Sequence, residues 1–208
     1  ILKNAPKTKF DQSVELQCKL GVDLTANDQV VRGTAVLPHG QGKVLKVIVF
    51  SKDDSAKAAK EAGADYVGAE ELIEKVMGGW MDFDVAISTP MMMKEVGKLG
   101  KVLGPRGLMP SPKAGTVTDN PAKALKEIKG GRIEFKMDKF ANIHTLVGKL
   151  SFAPEQLQAN ANVLIEALVK ARPRSLKGVF IKSAHLSSTM GPGVRLDMTK
   201  YLKEVETD

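Results

Sequence analysis

One cysteine stands in 208 residues, so neither an internal disulfide nor a cysteine-rich zinc cluster can form, and the chain suits a reducing compartment. Aromatic residues make up only 5%, which weakens any reading in which bases stack along an aromatic platform. No apolar run approaches the roughly 18 residues that a membrane-spanning helix needs, so no membrane partner is expected. Histidine is scarce as well. His39, His144 and His185 lie far apart in sequence without partners at metal-ligand spacing, and each reads as a packing or surface residue, with no metal site among them. The chain opens at Ile1, and Lys3, Lys7 and Lys9 are not followed by the apolar core of a signal peptide. A truncated or processed start is therefore expected rather than secretion.

Against these absences, 43% of the residues are hydrophobic and 26% charged, which argues against disorder. The length suits one large domain or two small ones, at roughly 150 residues per domain. A formal net charge of +7 and a sequence pI near 9.4 favour an anionic partner. The charge is unevenly spread. From Lys43 to Glu95, seven Lys face ten Asp or Glu, whereas Val96 to Arg132 carries eight basic against two acidic residues, and Ala167 to Leu196 six basic against none. A basic run is usually a solvated face, but both of these are rich in Gly and Pro.

The hydrophobic period changes along the chain. Val14, Leu16, Cys18, Leu20 and Val22 alternate as in a half-buried strand. Cys18 lies on its apolar face and is assigned no chemistry. After the turn Leu37-Pro38-His39-Gly40-Gln41-Gly42, Val44 to Phe50 is a nearly continuous apolar run, the pattern of a strand buried on both faces of a parallel sheet. A helix over Ala56 to Ala62, a short strand at Ala64 to Val67, a helix over Glu70 to Met77, a strand at Phe83 to Ile87 and a helix around Met91 to Leu99 are expected next. From Arg132 the pattern reverts, with strands beginning at Ile133, from Ile143 to Phe152, from Gly178 to Leu186 and from Val194 to Leu196, and a helix over Pro154 to Ala171. The first outer piece offers too few strands for a stable sheet. Pairing it with the last gives one discontinuous α+β domain of split βαβ type, residues 1–40 with 131–208. An inserted Rossmann-like, three-layer α/β domain spans 41–130. Gly40 and Gly131, at the crossings, are the candidate hinges.

Catalytic apparatus is not visible. After the first buried strand comes Ser51-Lys52-Asp53-Asp54-Ser55, without the glycines of a phosphate loop and with two carboxylates that would repel a pyrophosphate at the helix entry. Asp82 and Asp84 flank Phe83 without a nearby base or nucleophile and read as strand-end turn residues. A nucleotide-binding Rossmann-like enzyme and a nonspecific nucleic-acid-binding protein are the alternatives, the first disfavoured by the missing loop. No catalytic residue and no cofactor are expected.

Two segments call for recognition chemistry. Gly104 to Val117 is basic, stiffened by three prolines and opened by three glycines, a long loop of the kind that is often functional. Ser187-Ser188-Thr189-Met190-Gly191-Pro192-Gly193 offers three hydroxyls, a soft apolar side chain and glycines that let another backbone approach. Such groups suit a folded RNA, read through shape, phosphates and 2′-hydroxyls.

At these residues the chain resembles the large-subunit ribosomal protein one family, the protein of the mobile stalk beside the ribosomal exit site, in its bacterial or organellar form. The resemblance runs from Lys9 to Asp197 and rests on Lys9-Phe10-Asp11, Arg32-Gly33-Thr34, Leu37-Pro38-His39-Gly40, Ala62-Gly63-Ala64-Asp65, Gly79-Trp80-Met81-Asp82-Phe83-Asp84, the Gly104 to Gly115 loop and Ser188-Thr189-Met190-Gly191-Pro192. The N-terminal extension that family members usually carry before the first strand is not in the sequence. The resemblance implies a discontinuous first domain holding the main rRNA site, centred on Lys9, Phe10, Ser13, Glu15, Ser183, Thr189, Met190 and Gly191, with His144, Gly148, Lys149 and Ser151 added. Arg106 and Lys113 of the inserted domain are candidates for a secondary RNA contact. It further implies a monomer within the cytoplasmic or an organellar ribosome. There it binds large-subunit rRNA, assists release of deacylated tRNA from the exit site and represses translation of its own mRNA.

Overall fold

A computed structural model describes residues 5–24, 27–176 and 178–199. Side chains at Asn27, Asp53, Asp54 and Lys113 lie outside that description. In chain order the elements are β1 (Ser13–Leu20), β2 (Arg32–Val36), β3 (Val47–Phe50), α1 (Asp53–Glu61), β4 (Tyr66–Gly68), α2 (Glu70–Met77), β5 (Val85–Ser88), α3 (Met93–Val96), α4 (Gly100–Leu103), α5 (Pro121–Lys129), β6 (Arg132–Lys136), β7 (Asn142–Lys149), α6 (Pro154–Lys170), β8 (Ile181–Ser188) and β9 (Val194–Leu196). They form two compact units, residues 1–42 with 131–208, and residues 43–130.

The outer unit is built around β1. This strand pairs antiparallel with β7 on one side and β8 on the other, and β9 adds to β8, in the order β7-β1-β8-β9. Strict alternation on β1 sends Val14, Leu16, Cys18 and Leu20 to one face, all essentially buried. That face packs with the stripe Leu157, Ala161, Leu164, Ile165 and Leu168 of α6 and with Phe135 of the β2-β6 pair. Burying each Leu-sized side chain contributes about 1.5 to 3 kcal/mol. Burial also pushes the Cys18 thiol up to about 12, so it stays an uncharged core group. Helix α6 starts where Pro154 takes the first helical position and the Gln156 side chain accepts the Ala153 N–H at 3.1 Å.

Within the α6 stripe one polar side chain takes a core position. Asn160 is fully buried. Its Nδ2 donates to Gly40 O at 3.0 Å and Val147 O at 2.8 Å, and its Oδ1 accepts the His39 N–H at 3.2 Å. The 39–40 turn is thereby bonded to the helix and to β7. Gly131, at φ +104°, closes the same corner: a Cβ there would lie 2.7 Å from Gly40 Cα and 2.8 Å from Leu37 O. Its carbonyl accepts the Leu37 N–H at 3.0 Å. Both candidate hinge glycines are therefore held within the outer unit, Gly40 by hydrogen bonds and Gly131 by contact.

The inner unit has a parallel sheet in the order β4-β3-β5. Ile48, Phe50 and Ala86 pack on one face with Ile73 and Val76 of α2 and with Met92, Val96, Leu99 and Leu103, while Val47, Val49 and Ile87 meet Ala59 of α1 and Leu125 and Ile128 of α5 on the other. Three expectations change here. Val44 is 89% exposed and the buried strand begins only at Val47. The helix expected around Met91 to Leu99 is broken into single turns through Leu103, since Gly97 and Gly100 weaken a continuous helix. Helix α5 was not anticipated, although Asn120 caps it by accepting the Lys123 N–H at 3.2 Å, Pro121 takes its first position and Gly130 ends it.

Candidate nucleic-acid interface

The face of the four-stranded sheet opposite α6 carries the polar members of the alternation. Antiparallel pairing sets them in cross-strand rows: Lys149 beside Ser13; Leu146, Glu15 and Ser187; His144, Gln17, His185 and Arg195; Asn142, Lys19 and Ser183. At the Ser13 end, three stretches distant in sequence converge. The Ser13 N–H donates to Thr189 Oγ1 at 3.0 Å and the Thr189 N–H donates back to Ser13 O at 3.0 Å. Lys149 Nζ donates to Ser13 Oγ at 3.0 Å. Asp11 accepts the Ser151 hydroxyl at 2.7 Å and its N–H at 3.2 Å. Beneath them the buried Gln12 accepts the Met190 N–H at 3.1 Å and donates to Pro6 O at 2.7 Å.

This network fixes backbone while leaving recognition groups outside. Phe10 is 55% and Met190 63% exposed, two large apolar side chains standing in solvent beside the exposed Lys9 and Thr189. A base that leaves its stack can bury area on such groups, while lysines meet phosphates and hydroxyls meet sugars. Thus Lys9, Phe10, Ser13, Glu15, Lys149, Ser151, Thr189 and Met190 come together around one end of β1, and His144 and Ser183 lie farther along the same face.

Other expected members have different surroundings. Gly148 pairs with the buried Val14 on the core face, and a Cβ there would sit 3.0 Å from both Leu157 and Phe152. Its lack of a side chain lets Leu157 of α6 and Phe152 pack closely there. Gly191 allows a tight turn, since a Cβ would meet Ser188 Oγ at 2.3 Å. The three hydroxyls of this segment are not equivalent: Ser188 ends β8 and is buried, and Ser187 is half-buried and bonds Gln17 at 2.9 Å. Only Thr189 is exposed. Gln12, Gln17, His185 and Arg195 were not anticipated. The β1 alternation puts Gln17 on the polar face, but the pairing that brings His185 and Arg195 into its row is not a local property.

In the inner unit Arg106 is exposed in the turn after α4, between Gly104 and Gly107. The rest of its loop is tied down. Thr116 Oγ1 accepts the Ser111 N–H at 2.8 Å, and the stretch runs beside β5 through Ser88 N–H to Thr116 O at 2.9 Å and Thr118 N–H to Ser88 O at 3.1 Å. Asp82 and Asp84 are engaged by lysines, Lys46 on Asp82 at 2.7 Å and Lys43 on Asp84. The bond to Asp82 raises the Lys46 ammonium above its ordinary value. Among the described residues, no group of three or more His, Cys, Asp or Glu side chains is placed to hold a metal ion, and no helix is long and apolar enough to cross a membrane.

The "Large ribosomal subunit protein uL1" of Protochlamydia amoebophila is 57% identical over 198 residues, covering 95% of this chain and 84% of that protein. The model of the ribosomal protein L1p/L10e family matches residues 1–192. With the match spanning both units and the polar face from β1 through β8, the chain belongs to the ribosomal protein L1p/L10e family.

Proposed function

We propose that this protein is a structural component of the large ribosomal subunit, not an enzyme, and that it binds large-subunit rRNA through the outer unit. The carrying observation is the convergence of 9–15, 149–151 and 189–191 into one surface, exposed and rich in hydroxyls, lysines and two solvent-facing apolar side chains. Lys9 and Lys149 meet phosphates. Phe10 and Met190 bury the face of an unstacked nucleotide. Thr189 serves a 2′-hydroxyl, and Glu15 accepts from a 2′-hydroxyl or a base amino group. In this reading residues 43–130 form a Rossmann-like inserted domain that moves on the two chain crossings next to Gly40 and Gly131, glycines the outer unit anchors, and offers Arg106 and Lys113 as a second RNA contact. The protein acts as a monomer in the cytoplasmic ribosome. It moves with the stalk as deacylated tRNA leaves the exit site, and it represses its own mRNA where that transcript copies the rRNA shape.

The test is a filter-binding comparison of the cognate rRNA fragment, an RNA of scrambled shape and duplex DNA. Specific recognition predicts tight binding to the first alone. Equal affinity for all three would reduce the surface to a nonspecific cationic face.

A further inference from the structure

The polar face of the sheet does not end at the Ser13 pole. From Ser13 to Lys19 the strand runs six residues, about 20 Å at roughly 3.4 Å each, and at its far end lies the turn between β6 and β7, closed by an antiparallel bridge between Met137 and Ile143. Hydrogen bonds hold this turn while its tip, Lys139 and Phe140, stays exposed. Asp138 accepts the Phe140 N–H at 2.8 Å and the Asn142 N–H at 2.7 Å. Ala141 sits at φ +58°, the one described non-glycine residue in the left-handed region, a conformation a Cβ disfavours. Lys19 reaches across from β1 and donates to the Phe140 carbonyl. What this construction holds out is the Phe140 ring, 68% exposed, next to the exposed Lys139 and Lys19. An aromatic ring fixed in solvent beside ammonium groups has the chemistry of a base-stacking post with phosphate anchors.

The ground between the two poles matches. His144, Gln17, His185 and Arg195 form a row across all four strands, with Asn142, Lys19 and Ser183 behind it. Asp138 is the nearby carboxylate, and it is occupied by Asn142 and Phe140 amides and faces His144 Nε2 at 3.7 Å. We propose that this sheet face is one continuous RNA-binding surface, and that Phe140, with Lys139, forms a second pole at which an unpaired base of the bound RNA stacks. The inference rests on the reading of the Ser13 end as the rRNA site and extends it along the strand.

The test uses the full chain and a large-subunit rRNA fragment that includes the nucleotides flanking the minimal site. Phe140→Ala should weaken binding about five- to 150-fold, the range for one stacked base, and Phe140→Tyr should retain it. Lys139→Gln should lower the salt slope of log affinity by about 0.7 to 0.9. In hydroxyl-radical footprints, Phe140→Ala should remove protections at nucleotides different from those lost in Thr189→Ala. A folded Phe140→Ala protein that binds within twofold of wild type with an unchanged footprint, while Thr189→Ala weakens binding, would overturn the second pole and leave the first intact. Loss of neither footprint nor affinity in either variant would overturn both.

Discussion

Removing Thr189 and Met190 one at a time separates recognition from stability at the Ser13 pole, because the two neighbours are held differently. The Met190 side chain is 63% exposed and only its backbone N–H is bonded, to Gln12. Met190→Ala therefore removes area that RNA would cover and little that folding covers. Its cost in rRNA affinity should be about 1 to 3 kcal/mol, the scale of one specific contact, with unfolding free energy changed by less than about 0.5 kcal/mol. Thr189 differs, because its Oγ1 accepts the Ser13 N–H at 3.0 Å. Thr189→Ala loses that bond, worth about 0.5 to 1.5 kcal/mol at a site water can reach, as well as an RNA contact of similar size to that of Met190. Thr189→Ser keeps the hydroxyl and should recover most of both. Urea unfolding supplies the stability axis and filter-binding titration against the rRNA fragment the affinity axis. The expected pattern is one variant displaced along affinity only and the other along both. Met190→Ala binding as wild type, with Thr189→Ala losing stability alone, would show the 189–191 turn to be a scaffold and remove it from the site.

Asn160→Ala should destabilise the outer unit by about 2 to 4 kcal/mol in urea or thermal melts, since it strands the buried Val147 carbonyl and the part-buried Gly40 carbonyl and His39 N–H that Asn160 now bonds; a loss below about 1 kcal/mol would mean water replaces the amide. Gly131→Ala places a Cβ 2.7 Å from Gly40 Cα at φ +104° and should cost at least about 2 kcal/mol, whereas Ala141→Gly relieves the φ +58° strain and should leave stability unchanged or raised by up to about 1 kcal/mol. Amide bonds, first from Asn142 and then from Phe140, hold the Asp138 carboxyl below its ordinary value. A depressed carboxylate stabilises above its unfolded pKa and loses that contribution as pH falls through the folded one. Protection factors at the Phe140 and Asn142 amides, corrected for intrinsic exchange, should accordingly fall on acidification below about pH 4, and Asp138→Asn should flatten that dependence; equal acid sensitivity in both proteins would refute the assignment. The buried Cys18 thiol, raised to about 12, should resist thiol reagents until the chain unfolds.

Much of the architecture is local and therefore legible in the residues. The alternation Val14, Leu16, Cys18, Leu20 selects one buried face of β1 whatever its partners. The glycines after Met77 end α2, and the amphipathic run of α6 declares its buried stripe. The Lys9-Phe10 and Thr189-Met190-Gly191 segments could be matched to a family by their order alone. Sequence composition also went astray where a local count hid a nonlocal partner. Three consecutive hydroxyls at 187–189 look equivalent, but pairing with β1 turns Ser188 into the core and gives Ser187 to Gln17. Gly148, which the resemblance adds to the site, lies opposite the buried Val14 with Leu157 and Phe152 against it, a placement no local pattern shows. His144 and His185, 41 positions apart, share a row because both strands pair with β1 at Gln17. Strand period and caps depend on neighbours within a few residues. Register, and with it every row of the polar face, depends on which strands close around β1, a choice made by burying the whole apolar face at once.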